Sequence, residues 1–228
     1  HCKPLSEAIQ YGSRGFTLAE VLITLGIIGV VAALVMPGLI NDYKKKFYVT
    51  SFKKTYSKLQ QALQMYKYEN DGTLDSIDSQ VSAGNFVKDY FKTAKTCVNT
   101  TKNCFADRYT YIKNSSSTSS YVQVTSYILA DGTTIRFYYG PAGYRKGVIF
   151  VDSNGAKGPN IIGRDAIYMI LYNNGLLDDA NAPNTYTIQA PLNTQDRETT
   201  FLKYNCNPNC GDYGWFGKIL NDGWEMNY

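Results

Sequence analysis

A run of twenty residues without a charge, residues 21–40, constrains this chain more than any other feature. An α-helix rises ~1.5 Å per residue, so the run spans ~30 Å, the thickness of the hydrocarbon core of a bilayer. Leu, Ile and Val dominate it and favour insertion into a membrane. It exceeds the apolar part of a secretory signal, and core helices seldom stay apolar on all sides for this length. The sequence therefore predicts a transmembrane helix.

An acidic residue stands directly before this run. Glu20 follows Phe16 and Leu18, and a carboxylate in hydrocarbon costs several kcal/mol unless it is paired, which makes Glu20 a functional candidate. If the chain is cut between Gly15 and Phe16, a new α-amino group appears four residues before Glu20. An apolar rod of this kind can neutralise its acid with the amine of a neighbouring rod. That pairing would fix how the two rods align along their axes.

Residues 15–20 read GFTLAE, and this segment resembles the processing and methylation motif of type IV pilins and type II secretion pseudopilins. In that family a leader peptidase cuts after the glycine, and the new first residue is N-methylated. The resemblance implies cleavage between Gly15 and Phe16, N-methylation of Phe16 and a role for Glu20 in docking subunits. Pro37 also matches, since it lies 21 residues after Phe16, where the family has a helix-kinking proline.

The resemblance also implies how the chain is divided. Residues 1–15 are expected to be a leader peptide, removed on the cytoplasmic side together with Cys2, and residues 16–40 a transmembrane and assembly helix. The lysines at positions 44, 45 and 46 conflict with this topology, because the positive-inside rule by itself would put them in the cytoplasm. The processing motif, however, requires the bond between Gly15 and Phe16 to face the cytosol.

An apolar stripe continues beyond the membrane segment. Its members are spaced by four, three, four and three residues, as on one face of an α-helix: Phe52, Tyr56, Leu59, Leu63 and Tyr66. Residues 41–70 are therefore predicted to continue the first helix in amphipathic form, kinked at Pro37 and Gly38. Its lysines predict a solvated face, with acidic lipid headgroups, a neighbouring subunit or nucleic acid as alternative contacts.

The remaining residues, 71–228, are strand-like, rich in Tyr and interrupted by turns. Residues 114–120 are predicted to form a polar loop, and residues 121–129 and 133–139 a hairpin around Asp131 and Gly132 with a type I′ turn. Residues 147–151 add a strand, and 166–172 are either strand or helix. The predicted fold is α+β and pilin-like: a long N-terminal helix, membrane-spanning and then amphipathic, packed on a small antiparallel β-sheet head.

Four cysteines remain after removal of the leader, and they allow three pairings that sequence does not distinguish. We favour local disulfides, Cys97 with Cys104 and Cys206 with Cys210. A zinc site is the alternative, but it prefers two to four residues between ligands, a spacing that only the second pair has.

A glycine-rich loop, residues 152–165, offers carboxylate and amide oxygens, which are the ligands that Ca²⁺ prefers. Asp152, Asn154 and Asp165 are the candidate ligands. The loop lacks EF-hand spacing and a closing Glu, so Asx-turns at a hairpin tip are the alternative. The major pseudopilins of type II secretion carry a Ca²⁺ loop in their heads, but this loop does not match theirs residue by residue.

The leading functional hypothesis is structural: a pilin or pseudopilin subunit of a type IV pilus-like or type II secretion filament. The resemblance implies a single-pass protein of the inner membrane with its head outside the cytoplasm. Implied partners are other pilin-like subunits, a prepilin peptidase and methyltransferase, an inner-membrane assembly platform and membrane lipid. A net charge of +4 is too small to argue for nucleic acid.

The sequence does not favour an enzyme. The single His is at position 1, and the chain has no Gly-rich phosphate loop and no nucleophile motif. No cofactor is predicted apart from the calcium ion considered above. The alternative function is an extracytoplasmic binding module, tethered to the membrane by an uncleaved signal anchor.

Overall fold

The structure is a computed structural model that describes residues 15–118, 123–181, 186–206 and 210–228. The chain forms two compact units, which divide between Tyr43 and Lys44. Of the predicted leader, residues 1–15, only Gly15 falls within the described residues.

The first unit contains the beginning of a long helix, α1 (Leu18–Glu69), of 52 residues. By length and composition α1 is able to cross a membrane, and none of its apolar window is buried. A helix in the core of a soluble protein would bury most of these side chains. The exposure therefore agrees with a transmembrane role for residues 21–40.

The second unit uses the rest of α1 as a core element. The buried side chains of α1 recur at helical spacing: Tyr48, Val49, Phe52, Thr55, Leu59, Ala62 and Leu63. This confirms the predicted amphipathic stripe, whose other two members, Tyr56 and Tyr66, are partly buried against the same core. The helix ends at Glu69, as predicted, and the chain then turns through Asp71 and Gly72, which both have positive φ.

The described part of the second unit also contains nine strands and three shorter helices. The strands are β1 (Thr93–Cys97), β2 (Thr110–Tyr111), β3 (Asn114–Thr118), β4 (Ser126–Leu129), β5 (Thr134–Ala142), β6 (Arg145–Asp152), β7 (Ile161–Ile162), β8 (Ala166–Tyr172) and β9 (Leu177–Asp178). The helices are α2 (Gln80–Tyr90), α3 (Thr194–Tyr204) and α4 (Trp215–Asn221).

All nine strands belong to one sheet with the order β1-β4-β5-β6-β8-β7-β2-β3, and β9 pairs with β8. The centre, β4-β5-β6-β8, is antiparallel throughout, which confirms the predicted α+β fold with a mostly antiparallel sheet. The sheet is larger than the small sheet expected from the sequence. Two of the added pairings, β2 with β7 and β7 with β8, are parallel.

The hairpin between β4 and β5 lies where the sequence predicts it, but the predicted type I′ turn is wrong. Of Asp131 and Gly132, only Gly132 has positive φ, at +87°, whereas a type I′ turn needs two such residues. The N–H of Leu129 donates to the carbonyl oxygen of Thr133 at 2.8 Å, so three residues form the loop. A three-residue hairpin loop of this kind consists of a type I turn followed by a residue with left-handed backbone, here the glycine, which adds a bulge to the hairpin.

Other local predictions are resolved or corrected. Residues 166–172 are a strand, β8, and every residue in it is buried. The predicted polar loop is wrong for residues 114–118, which form the sheet-edge strand β3, while residues 119–122 lie outside the described residues.

The strand-like interpretation of residues 71–228 is wrong at α2, α3 and α4. Side-chain caps start two of these helices: Ser79 and Ser82 exchange hydrogen bonds at the start of α2, and Asn193 accepts from the N–H of Asp196 in α3. Short helices of this kind depend on caps and on packing against the sheet. Alone in water, helices of this length are only marginally stable.

Candidate functional site

Gly15, Phe16 and Thr17 lie ahead of α1 in backbone without regular secondary structure. The side chain of Phe16 is 88% exposed, and a Cβ atom placed on Gly15 would meet no atom within 4 Å. Exposed backbone outside secondary structure is readily cut by a peptidase. The bond between Gly15 and Phe16, where cleavage was predicted, therefore lies in an accessible segment.

Glu20 is held by the residue three positions before it. The backbone N–H and the hydroxyl of Thr17 both donate to Oε2 of Glu20, at 2.8 and 2.7 Å, and the N–H of Glu20 donates to Oγ1 of Thr17 at 3.2 Å. This reciprocal pair is a capping box, which satisfies backbone N–H groups that a helix start leaves unpaired. Thr17 was not among the predicted site residues, although Thr and Glu at this spacing before an apolar run are the signature of such a cap.

The cap uses no atom that precedes Thr17. Cleavage between Gly15 and Phe16 would leave the N–H and hydroxyl of Thr17 in place and would create an amine on the adjacent Phe16. Phe16, which would carry the amine, directly precedes the capping pair of Thr17 and Glu20 in the chain, and these three residues form one N-terminal cluster in the sequence. Of the predicted assembly residues, Phe16 and Glu20 belong to this cluster.

Pro37 lies elsewhere, in the interior of α1. Proline has no N–H, so the carbonyl of Ala33 lacks its usual partner one turn later, and a kink at this position remains a prediction. Between Glu20 and Pro37, a Cβ atom on either Gly26 or Gly29 would meet no atom within 4 Å. Packing within this chain does not require glycine at these two positions, and their small size leaves room for another helix to approach.

The cysteines lie in two local pairs at disulfide distance, Cys97 with Cys104 and Cys206 with Cys210. These are the pairings favoured from the sequence. The residues between Cys206 and Cys210 lie outside the described residues. Because each sulfur is bonded to another sulfur, the cysteines are not available as the zinc ligands of the alternative interpretation.

The three predicted calcium ligands lie near the adjacent ends of β6 and β8. Asp152 is buried and accepts a hydrogen bond from the hydroxyl of Tyr109 and another from the N–H of Asn154, the latter at 3.0 Å. The carboxylate of Asp165 accepts from the N–H groups of Ile161 and Asn160, at 2.7 and 2.8 Å. Both carboxylates thus serve the folding of their own loop.

Burial also changes the proton affinity of these acids. It raises the pKa of Asp152 to about 8, with Asp165 adding to the rise, and it raises the pKa of Asp165. Asn154 donates from its Nδ2 atom to the carbonyl oxygen of Gly158 at 2.9 Å, while its buried Oδ1 atom has no hydrogen-bond partner among the described residues. No group of three or more His, Cys, Asp or Glu residues able to hold a metal ion occurs in the described ranges. Calcium at Asp152, Asn154 and Asp165 therefore stays a prediction.

Two adjacent acids connect the C-terminal helices to the sheet through hydrogen bonds. Neither was predicted from the sequence. Asp178 accepts hydrogen bonds from Nε and Nη2 of Arg197 on α3, at 2.8 and 2.7 Å. Asp179 accepts from the N–H groups of Gly214 and Gly217 at the start of α4, at 2.9 and 2.6 Å. Burial raises the pKa of Asp179 to about 6, against the opposing effect of these hydrogen bonds.

Comparison with known proteins gives matches that each cover only part of the chain. Residues 11–36 match the family model of the prokaryotic N-terminal methylation motif. The chain is 39% identical over 61 residues to the type II secretion system core protein G of Pectobacterium carotovorum subsp. carotovorum. That similarity covers 27% of this chain and 38% of the relative, so the chain spans well under half of the relative's length. No solved structure shows significant similarity to the chain.

Proposed function

We propose that this chain is a structural subunit of a type IV pilus-like or type II secretion filament. The match of residues 11–36 to the prokaryotic N-terminal methylation motif supports its membership of the pilin and pseudopilin family. In this role it is a scaffold protein without an active site. The observation that carries the proposal is the first turn of α1, where an accessible Gly15–Phe16 bond precedes a carboxylate held by a capping box.

The first step is processing. A prepilin peptidase cuts after Gly15, and a methyl group is added to the new amine of Phe16. The exposure of Phe16 and the lack of secondary structure at residues 15–17 support this step, because no helical hydrogen bond has to break before cleavage. The cap between Thr17 and Glu20 keeps the start of the helix formed afterwards.

The second step is storage in the membrane. Residues 16–40 anchor the processed subunit in the inner membrane in a single pass, and the head stands outside the cytoplasm. The two cysteine pairs at disulfide distance support this orientation, since disulfides persist in oxidising compartments and are rare in the cytosol.

The third step is transfer from lipid into a polymer through an assembly platform in the inner membrane. The apolar side chains of residues 21–40 pack against the same residues of neighbouring subunits. Lipid tails are as apolar as leucine, so close van der Waals packing has to favour this exchange. The open surroundings of Gly26 and Gly29 support such an approach.

Glu20 sets the register of this packing by pairing with the Phe16 amine of a neighbouring subunit. A charge in an apolar filament core is costly when unpaired, and an amine on an adjacent rod removes much of that cost only at the correct alignment. The hydrogen bonds from Thr17 support the proposal because they hold one oxygen of the carboxylate at the tip of α1.

Mass spectrometry of the N-terminal peptide of the mature protein tests the proposal. In the native host, wild-type protein should give a peptide that begins at Phe16 with one added methyl group, and Gly15→Ala should retain the leader. A wild-type protein with an intact leader would contradict the proposal. It would favour instead a binding module tethered by an uncleaved signal anchor.

A further inference from the structure

The part of α1 that follows the apolar run carries an unusual concentration of one charge. Between positions 44 and 67 there are seven lysines and no acidic residue. Such a segment attracts anions unless its charges are neutralised by the rest of the protein. The contacts of each lysine therefore decide which of them are available to a partner.

Five of these lysines have contacts with other parts of the second unit. Lys54 and Lys58 form ion pairs with Asp131, at 3.1 and 2.8 Å. Three more contact backbone carbonyl oxygens or a ring: Lys45 with Tyr228, Lys67 with Asn174 and Lys53 with Trp224. These side chains stabilise the packing of α1 against the rest of the second unit.

Lys44 and Lys46 differ from the other five. Both are exposed, and neither ammonium group has a hydrogen bond or ion pair with the described residues of the chain, although the backbone carbonyl of Lys46 accepts from the hydroxyl of Thr50. They are also close in sequence to the end of the apolar run at Ile40, with Asp42 as the one acid nearby. Phe47 is 51% exposed and follows Lys44 by three residues, so its ring lies on the same side of α1 as that lysine.

We propose that Lys44 and Lys46 bind the phosphate groups of anionic phospholipids in the membrane leaflet at which the apolar run ends. The inference rests on the proposed function, since it requires residues 21–40 to span the membrane. Lysines at a membrane boundary are attracted by anionic headgroups, and an adjacent aromatic ring suits the interface between headgroups and acyl chains.

This site also accounts for the conflict with the positive-inside rule. That rule disfavours lysines on the non-cytoplasmic side of a membrane helix, so Lys44 and Lys46 oppose the topology that processing requires. As a lipid site they hold the head at the membrane surface while the subunit waits for assembly. Extraction into a filament then releases the bound lipid.

Electron paramagnetic resonance of spin-labelled lipids tests the site in the full, processed chain. The protein is reconstituted at high dilution in phosphatidylcholine vesicles that contain a trace of spin-labelled phosphatidylglycerol or spin-labelled phosphatidylcholine. The motionally restricted fraction of each label reports its preference for the protein surface. Wild type should prefer phosphatidylglycerol roughly three- to five-fold at low salt, and high salt should remove the preference.

The variant Lys44→Gln/Lys46→Gln should bring this preference close to one. The control Lys88→Gln/Lys157→Gln removes two exposed lysines elsewhere on the second unit and should leave the preference unchanged. An unchanged preference in Lys44→Gln/Lys46→Gln would overturn the proposal. If the variant kept the preference for phosphatidylglycerol but failed to form filaments, the two lysines would instead contribute to a contact between subunits.

Failure of the anchor is measured separately. Wild-type protein that leaves the vesicles on alkaline extraction would contradict the transmembrane role of residues 21–40, and with it the proposed function. Protein that stays in the vesicles without a preference for phosphatidylglycerol would contradict the lipid site alone.

Discussion

The two parts of helix α1 carry similar apolar residues but differ in where those residues find partners. In the apolar part, residues 21–40, Leu25 is 60% exposed and Ile28 is 62% exposed. In the head part, Phe52 and Leu59 are fully buried among strands and helices of the same chain. The apolar surface of the first part is therefore available for burial in lipid or against other subunits. The apolar surface of the second part is already buried within the head.

The sequence pattern explains this difference. Residues 21–40 are apolar on all sides of the helix, whereas the later part is apolar on one stripe and basic elsewhere. A stripe can be covered by one sheet, but a helix that is apolar all round must be surrounded. In the proposed function, one helix thus serves two purposes, assembly at its start and folding of the head at its end.

Matched leucine substitutions give the largest expected effect and test this comparison directly. Leu59→Ala should lower the free energy of unfolding of the head by about 2–5 kcal/mol, because it leaves a cavity in the core. Leu25→Ala should change the same quantity by less than ~0.5 kcal/mol, because its side chain contributes nothing to that core. Urea denaturation followed by the fluorescence of Trp215 and Trp224, both in the second unit, measures the two values.

Equal losses in the two variants would contradict the division of α1. In variants that still fold, filament formation should show the opposite order of effects. Leu25→Ala should weaken incorporation into filaments although its head remains stable.

The next effect is a dependence of head stability on pH. Burial raises the pKa of Asp152 from 3.8 in the unfolded chain to about 8 in the folded head, so between these values the folded state holds a proton that the unfolded state has lost. Stability must therefore fall as the pH rises from about 4 to about 8. The loss from pH ~5.5 to pH ~7.5 should be at most ~3 kcal/mol, since each pH unit contributes ~1.4 kcal/mol.

Asp152→Asn is the matched control, because asparagine has the shape of the protonated acid but does not titrate. It should reduce the slope of stability against pH in this window, as measured by urea denaturation. An unchanged slope would show that Asp152 is not the group responsible. The smaller contribution of Asp179, whose pKa is about 6, should persist in this variant below pH ~6.

The same assay tests the predicted calcium site at Asp152, Asn154 and Asp165. We expect millimolar calcium at pH ~8 to leave stability unchanged, because the carboxylate oxygens already accept hydrogen bonds from backbone N–H groups and, at Asp152, from the hydroxyl of Tyr109. Stabilisation by calcium, lost in Asp165→Asn, would instead establish a metal site in this loop.

A modest gain in stability is expected at Thr55. This residue lies on the buried face of α1, and its hydroxyl is buried without a hydrogen-bond partner among the described residues. Thr55→Val keeps the shape and removes the unsatisfied hydroxyl, which should stabilise the head by about 1 kcal/mol. A loss of stability in urea denaturation would show that the hydroxyl has a partner, such as a buried water.

Features encoded within a few residues were predictable from the sequence. The apolar run, the stripe from Phe52 to Tyr66, the end of α1 and the hairpin at Asp131 all depend on local patterns. The cap between Thr17 and Glu20 belongs to the same class, because its signature spans only four residues. Thr17 and Glu20 stand three residues apart before an apolar run, which is the sequence signature of such a cap.

Features that depend on distant partners were not predictable. Asp179 caps α4 from more than thirty residues away in sequence, and no local pattern marks it as the acceptor for Gly214 and Gly217. The short strands β2 and β7 are two residues each, and they exist because β8 offers an edge to β7 and β7 offers one to β2. Such elements follow from tertiary packing, which overrides local propensity.

The variant Glu20→Gln tests the central claim most directly, because it removes the charge but leaves an N3 residue that still fits the capping box. In the native host it should yield a mature N-terminus at Phe16 and yet be absent from sheared filaments. The control Glu225→Gln, at an exposed acid of the head, should enter filaments normally. Incorporation of Glu20→Gln at the wild-type level would contradict the claim that this carboxylate aligns the subunits.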